Sequence, residues 1–227
     1  RTDDVMVVEV SASKPGSIDL EIELDRAGRA AEELTSEGLL KFSGTLDSGT
    51  ESPGMSYCAY TKVMTDGEVT YPQGGDPCIR VSSADKVWII ISAATDYFSK
   101  DYESMALSRL ESMSPRKMRI AHKEAVKAHQ ELYLRNTLSL SCGTTREIKA
   151  TDKRITDYAT GAEDNALAAL YYNYGRYLLI CSTCPGLLPP NLQGLWSNSF
   201  LTPWNGDYHT NINVQMNHWI AESGNLS

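Results

Sequence analysis

Apolar and polar residues alternate at the start of the chain. Val5, Val7 and Glu9 interleave with Met6, Val8 and Val10; beyond a turn at Lys14-Pro15-Gly16, Ile18, Leu20, Ile22 and Leu24 alternate with Asp19, Glu21 and Glu23. A period of two puts each set on its own face of a strand, so the stretch predicts a β-hairpin with one wet face. Further strands are predicted at residues 55–64, 68–70, 78–82 and 86–92, separated by turn residues at Asp66-Gly67, Gly74-Gly75-Asp76 and Ser83-Ala84-Asp85. Short strands with frequent turns predict a β-sandwich.

After Asp96 the period changes. Residues 99–113 read as a helix, and Ser114-Pro115 starts another with an N-cap and a proline at its first position. Met118, Ala121, Ala125, Ala128 and Leu132 follow three and four apart, forming one apolar stripe. His122 and His129 lie near that stripe but seven apart, whereas a zinc-binding helical pair stands four apart, so they read as packing or surface residues. A short strand is predicted at 137–141 and a polar linker at 144–152. From Asp164 a further helix carries Leu167, Leu170, Tyr174, Tyr177 and Cys181, widened by Tyr171 and Leu178, which predicts a largely buried helix ending at Pro185-Gly186.

A chain of 227 residues can bury a sizeable core, and its net charge of −8 argues against nucleic-acid or anionic-membrane binding, which rest on basic patches. No apolar run reaches the roughly 18 residues of a membrane span, and residues 1–10 do not form a signal peptide. Five cysteines, an odd number, do not read as a disulfide framework. Cys181 and Cys184 form the only CxxC, without a second ligand pair at metal spacing, so no metal and no cofactor are expected and the two thiols read as fillers at a helix end.

The last quarter differs from the rest. Trp196, Trp204 and Trp219 crowd together with Asn191, Gln193, Asn205, Asn211, Asn213 and Asn217. Buried amides need partners or cost a few kcal/mol, roughly 1–3, so this mixture suits a wet, concave site better than a core. Flat aromatic faces beside groups that both donate and accept hydrogen bonds are suited to holding a sugar. His209, Asn211 and Asn213 stand at period two; an extended approach to a helix beginning near Asn213 would point all three to one side, with Met216 and Ile220 buried by that helix. Carboxamides take up no proton near neutrality, but they can hold a water whose proton passes to a carboxylate. The carboxylates nearest in sequence are Asp207 and Glu222, each equally readable as a cap or turn residue.

In order and spacing, the run from Leu188-Pro189-Pro190-Asn191-Leu192-Gln193-Gly194-Leu195-Trp196 through Pro203-Trp204, Asp207-Tyr208-His209-Thr210-Asn211-Ile212-Asn213, Gln215-Met216-Asn217 and Ala221-Glu222 resembles the family 95 glycoside hydrolases, the inverting 1,2-α-L-fucosidases and their relatives. Upstream, residues 12–18 and 83–89 resemble that family's N-terminal β-sandwich. The resemblance implies a multidomain α+β chain: part of a sandwich over residues 1–98, a helical linker with a short strand over 99–152, and the first helices of an (α/α)6 barrel over 153–227. It also implies that Asn211 and Asn213 hold and activate the attacking water, that His209 contacts the sugar, and that the substrate is a fucosylated oligosaccharide or glycan met outside the cell or in the periplasm. Trp196 and Trp204 are expected to face the sugar. The family's general-acid glutamate and general-base aspartate are expected downstream of this motif, leaving the 227 residues inactive on their own. At Asn217-His218-Trp219-Ile220 the chain departs from the family's usual Asn-Tyr-Trp-Pro, without losing a matched site residue. The alternatives are a non-catalytic sugar-binding or decayed fragment, and an α-L-galactoside as substrate.

Overall fold

The computed structural model describes residues 4–26, 30–140, 149–199 and 202–227. It divides into two compact units, residues 1–125 and 126–227. The first is built on two antiparallel sheets. One has the order β1-β8-β5-β4-β3, made of β1 (Met6–Ser11), β3 (Ala31–Leu34), β4 (Leu40–Asp47), β5 (Pro53–Thr65) and β8 (Lys86–Thr95); the other has the order β2-β7-β6, made of β2 (Ile18–Glu23), β6 (Glu68–Thr70) and β7 (Cys78–Ala84).

Side-chain alternation along β8 decides how the layers stack. Val87 and Ile89 join Ile18, Ile22, Leu40, Ile79 and Val81 in a core that draws on both sheets. Trp88 and Ile90 face the other way, onto Cys58, Tyr60, the helical residues Ala106, Leu110 and Met118, and Met113 in the link between the two helices. The second face is covered by α1 (Tyr102–Glu111) and the first turn of α2 (Pro115–Tyr133). Each fully buried Leu or Ile in such a layer contributes about 1.5–3 kcal/mol. Lys41 ties the layers together: its ammonium lies 3.3 Å from Glu33 on β3 and 3.1 Å from Glu103 on α1. Burial alone would lower its pKa, but the two carboxylates hold it above the ordinary lysine range.

The hairpin expected over residues 5–24 is not formed. β1 pairs with β8 and β2 with β7, so the chain crosses from one sheet to the other at Lys14-Pro15-Gly16. The reason lies in a second crossing beside it, where β7 passes into β8 at Asp85. Asp85 accepts from Ala12 N at its carbonyl (3.0 Å) and from Gly16 N at Oδ1 (2.5 Å), fastening the two corners to each other. β3 and β4 escape the sequence pattern because Ala-Glu-Glu-Leu has no strand propensity of its own; pairing with β4, and of β4 with β5, supplies it. The remaining strands and both early helices occur where the period predicts, with Ser114 Oγ accepting from Lys117 N at 3.2 Å.

The second unit is helical. It holds the end of α2, α3 (Thr151–Ala159), α4 (Asn165–Ser182), a 3₁₀ turn at Pro203–Gly206, α5 (Asn213–Asn217) and α6 (Ile220–Ser223). Residues 137–140 are not a strand; the rest of that expected strand, and most of the expected linker, fall at 141–148, outside the described residues. The linker's end, from Thr151, starts α3 instead. Asp164 caps α4, accepting from Leu167 N at 2.8 Å, and takes both prongs of the Arg154 guanidinium from α3 (2.8 and 2.9 Å).

α4 is less buried than its composition predicts. Ala169, Arg176, Leu179, Ile180 and Ser182 are buried, whereas the expected inward stripe of Leu170, Tyr174 and Tyr177 is exposed, and Tyr171 is 80% exposed. The face that turns inward is set by Arg176, which is fully buried. Its Nε donates to Gly224 O (3.1 Å), Nη1 to Tyr133 O (2.9 Å) and Asn136 O (2.8 Å), and Nη2 to Leu132 O (3.2 Å).

Two stability predictions follow from these contacts. Thr61 Oγ1 is fully buried without a hydrogen-bond partner among the described residues. Thr61→Val keeps the shape and removes an unsatisfied group, so it is expected to stabilise the N-terminal unit by about 1 kcal/mol, read as a higher urea midpoint at unchanged m; a lower midpoint would mean the hydroxyl is partnered. Arg176→Met leaves the Tyr133, Asn136 and Gly224 carbonyls without a partner among the described residues, Leu132 O keeping Arg135 N at 3.3 Å, and is expected to cost the C-terminal unit about 3 kcal/mol or more, with Arg176→Lys recovering only part, as measured by hydrogen exchange of the α4 amides.

Candidate functional site

The loop between α4 and α5 is fastened at several points. Asn191 and Gly194 close a tight turn by exchanging backbone bonds (Asn191 N to Gly194 O 3.3 Å, Gly194 N to Asn191 O 2.9 Å), and Asn191 Oδ1 accepts from Gln193 N at 2.8 Å. From α5, Asn217 Nδ2 donates to Pro190 O (3.2 Å) and Asn191 O (3.0 Å). Leu192 N donates to Asp207 O at 3.1 Å, which binds this turn to the segment leading into α5. Asn191 and Asn217, expected to offer their amides to a sugar, thus serve mainly to hold the loop.

α5 begins at Asn213 as the sequence predicts, but the approach is not extended. Residues 210–212 form a turn, and the His209 carbonyl accepts from the N–H groups of Ile212 (3.4 Å), Asn213 (3.1 Å) and Val214 (3.4 Å). His209 adopts φ 41°, the left-handed region that turns its carbonyl toward the start of the helix, so satisfying helix-start N–H groups prevails over extension. The period-two argument for a shared direction of His209, Asn211 and Asn213 therefore does not apply. Asn211 is exposed and Asn213 half-buried, and neither side-chain amide has a partner among the described residues. His209 Nε2 stands 3.7 Å from Asp207 Oδ2, an ion-pair distance when the imidazole is protonated.

Trp204 is 73% exposed and sits at φ 48°, next to Asn205 at φ 55°. Left-handed non-glycine residues cost of order 1–3 kcal/mol and gather at functional sites, and three lie within six positions here. Met216 and Trp219 are exposed and Ile220 half-buried, so the expected burial by α5 and α6 is only partial. Glu222 lies on α6 and accepts from Ser227 Oγ at 3.3 Å. His218 Nδ1 donates to Val214 O at 2.7 Å, a local brace that uses the imidazole's proton in structure.

One open hollow, of about 510 Å³, lies in this loop, lined by residues 193, 195–199, 202 and 203. Of the sequence-predicted site residues it includes Trp196; Trp204, His209, Asn211 and Asn213 do not line it. The sequence did not single out Asn198 or Thr202, which carry no motif of their own. Among the described residues, the one group of three metal-ligand side chains lies in the other unit: Glu21, Glu23 and Cys78, whose ligand atoms fall within 4.8 Å of one another. There Glu21 is already paired with Arg80, and the bond Glu23 shares with Glu21 raises the Glu23 pKa. No helix among the described residues is long and apolar enough to cross a membrane.

Residues 117–227 match the glycosyl hydrolase family 95 catalytic domain, and residues 1–100 match the glycosyl hydrolase family 65 N-terminal domain. An antiparallel two-sheet unit followed by a helical one, with an amide- and tryptophan-rich loop, is thus that of a glycoside hydrolase. Over 188 residues the chain is 33% identical to "Probable alpha-fucosidase A" of Aspergillus niger (strain ATCC MYA-4892 / CBS 513.88 / FGSC A1513), covering 76% of this chain and 24% of that protein. It is 26% identical to "Alpha-L-fucosidase 2" of Arabidopsis thaliana over an alignment of 255 positions, covering 99% of this chain and 30% of the relative. A third relative, "Probable alpha-fucosidase A" of Aspergillus oryzae (strain ATCC 42149 / RIB 40), is 38% identical over 144 residues, covering 60% and 19%. The chain belongs to glycoside hydrolase family 95, and it spans about a quarter of the length of the curated relatives it matches.

If Asn217 is the fastening of this loop, Asn217→Ala removes two hydrogen bonds worth about 1 kcal/mol each. Amide exchange at Leu192 and Gly194 is then expected to quicken by roughly 5–30-fold while α4 stays protected. Unchanged exchange in the turn would show that the loop is held elsewhere.

Proposed function

We propose that this chain is part of an inverting α-L-fucosidase that removes terminal α-1,2-linked L-fucose from oligosaccharides or glycans outside the cell or in the periplasm, with residues 153–227 opening an (α/α)6 catalytic barrel. The observation that carries the reading is the motif run from Asn191 to Glu222, lying inside the matched family 95 segment of a chain whose relatives bear fucosidase names. Inversion needs a carboxylic acid for the leaving oxygen and a carboxylate to take the proton of the attacking water, about 6.5–9.5 Å apart. Asn211 and Asn213 hold that water between the two. Their side-chain amides have no partner among the described residues, which supports this role, because a committed amide cannot orient a solvent molecule. The acid and base are a glutamate and an aspartate outside the motif. His209 reads the C6 end of the sugar, and Trp204 and Trp196 offer apolar faces to it.

On this reading the 227-residue chain binds 2′-fucosyllactose without hydrolysing it. Calorimetry beside an assay for released fucose tests both halves: release at catalytic turnover would overturn the assignment of acid and base, and absence of binding would overturn the sugar site. Fucose and L-galactose differ by a methyl against a hydroxymethyl group at C6, and an imidazole crowds the space the extra hydroxyl needs. His209→Thr is therefore expected to shift the ratio of the two dissociation constants toward L-galactose by ~10-fold or more. An unchanged ratio would mean that His209 does not read C6.

A further inference from the structure

We propose that Glu21, Glu23 and Cys78, brought together by the register of β2 on β7, form a site for one zinc ion that fastens these two strands to each other. The site lies in the N-terminal unit and does not depend on the fucosidase reading.

Two rules of strand geometry assemble it. Glu21 and Glu23 stand at period two on β2 and share its exposed face, while Ile22 between them is buried. In the antiparallel ladder Glu23 is opposite Cys78 and Glu21 opposite Arg80, and directly opposed residues point to one side of a sheet. One ligand atom from each of Glu21, Glu23 and Cys78 therefore falls within 4.8 Å of the others. The expectation of no metal rested on spacing along the chain, and these residues meet only through strand pairing.

Charge and chemistry both point to a cation. The bond to Glu21, then desolvation, then the charges of Glu21, Asp76 and Asp25 hold the Glu23 carboxyl above its ordinary range. A proton thus stands where a divalent ion would relieve the same repulsion more fully. Arg80 answers Glu21, but a carboxylate has about four lone-pair sites and keeps room for a metal.

Cys78 supplies the independent evidence. It is unbridged and only 4% exposed, and its thiol makes no hydrogen bond among the described residues. It stands outside the apolar core that takes its neighbour Ile79, and its sulfur is aimed at the two carboxylates. A thiolate disfavours calcium and magnesium, which want oxygen alone, whereas zinc takes sulfur and oxygen together. Tetrahedral zinc, with bonds of about 2.3 Å to sulfur and about 2.1 Å to oxygen, sets ligand atoms about 3.4–3.6 Å apart. The exposed glutamate arms can close the remaining distance of roughly 1 Å, and water fills the fourth position. Because the thiol and Glu23 must both lose protons, affinity rises with pH.

The 227-residue chain, reduced and stripped of metal by chelation, is titrated with Zn²⁺ by calorimetry and with Cd²⁺ by ultraviolet absorption, in which a cadmium–thiolate bond gives a charge-transfer band. One zinc per chain is expected. At free zinc of about 100 times Kd, opening of the paired strands, read from exchange of the Ile22 and Ile79 amides, should slow by roughly 100-fold. Cys78→Ser should abolish the cadmium band and weaken zinc by roughly 100-fold or more, since even an outer partner of a ligand is worth about 10–100-fold. Glu23→Gln, an exposed change, should weaken zinc comparably, while the double variant Cys181→Ser, Cys184→Ser leaves zinc affinity and band unchanged. Absence of stoichiometric zinc binding, a band that survives Cys78→Ser, or binding lost with the Cys181 and Cys184 thiols would each overturn the proposal. Wild-type affinity in Glu23→Gln would also overturn it, and decides the matter if Cys78→Ser does not fold.

Discussion

A buried guanidinium needs its charge answered, and among the described residues Arg176 makes no ion pair. Carbonyls answer it: those of Leu132 and Tyr133 at the end of α2, of Asn136 just beyond, and of Gly224 after α6. Helix-end carbonyls lack intrahelical partners and carry the negative end of the helix dipole, so one arginine satisfies three otherwise idle acceptors while its own charge is compensated. The same side chain reaches the last helix, where Gly224 lets it pass: a Cβ there would stand 3.3 Å from Arg176 Nε and 2.6 Å from the Ile220 carbonyl. α2, α4 and α6 are thus joined by one planar fork, a geometry a lysine could not reproduce.

That arginine also explains where the sequence misleads. On α4 the apolar residues cover most of the circumference, and a hydrophobic count favours the stripe of Leu170, Tyr174 and Tyr177 as the inward face. Arg176 has more hydrogen bonds to gain than the tyrosines have surface to bury, and it turns Ala169, Leu179 and Ile180 inward instead. A polar residue in an apolar helix is read by default as the outward one. Here it is the most buried side chain of the element, which could have been inferred only from the unpaired carbonyls elsewhere in the chain.

The sandwich was more legible. Strong period-two patterns such as Ile18, Leu20 and Ile22 located their strands because burial of one face is a local property. Pairing is not local, and the predicted hairpin failed at Lys14-Pro15-Gly16, where a turn and a sheet-to-sheet corner use the same residue types. The site shows the same division. Its location, between Asn191 and Glu222, followed from composition and motif, but asparagine serves equally as a structural brace and as a ligand-binding group. Only the contacts separate Asn191 and Asn217, whose side-chain amides are committed, from Asn211 and Asn213, whose amides are not.

The commitment of the first pair gives the freedom of the second its meaning. Trp204 and His209 hold left-handed backbone that relaxes unless the surroundings over-determine it. The surroundings do so: Leu192 N holds Asp207 O, Asn217 holds residues 190 and 191, and three N–H groups converge on the His209 carbonyl. In a loose loop, unpaired amides would fold back onto the nearest N–H or carbonyl, as asparagine does in turns. Here the N–H groups of residues 212–214 are taken by the His209 carbonyl and the Thr210 carbonyl by Gln215 Nε2 (2.7 Å), and the Asn211 and Asn213 amides are left to solvent or substrate. Rigidity is therefore a condition of the chemistry proposed for them, since an amide that can find a partner in its own backbone cannot hold a water molecule against a sugar.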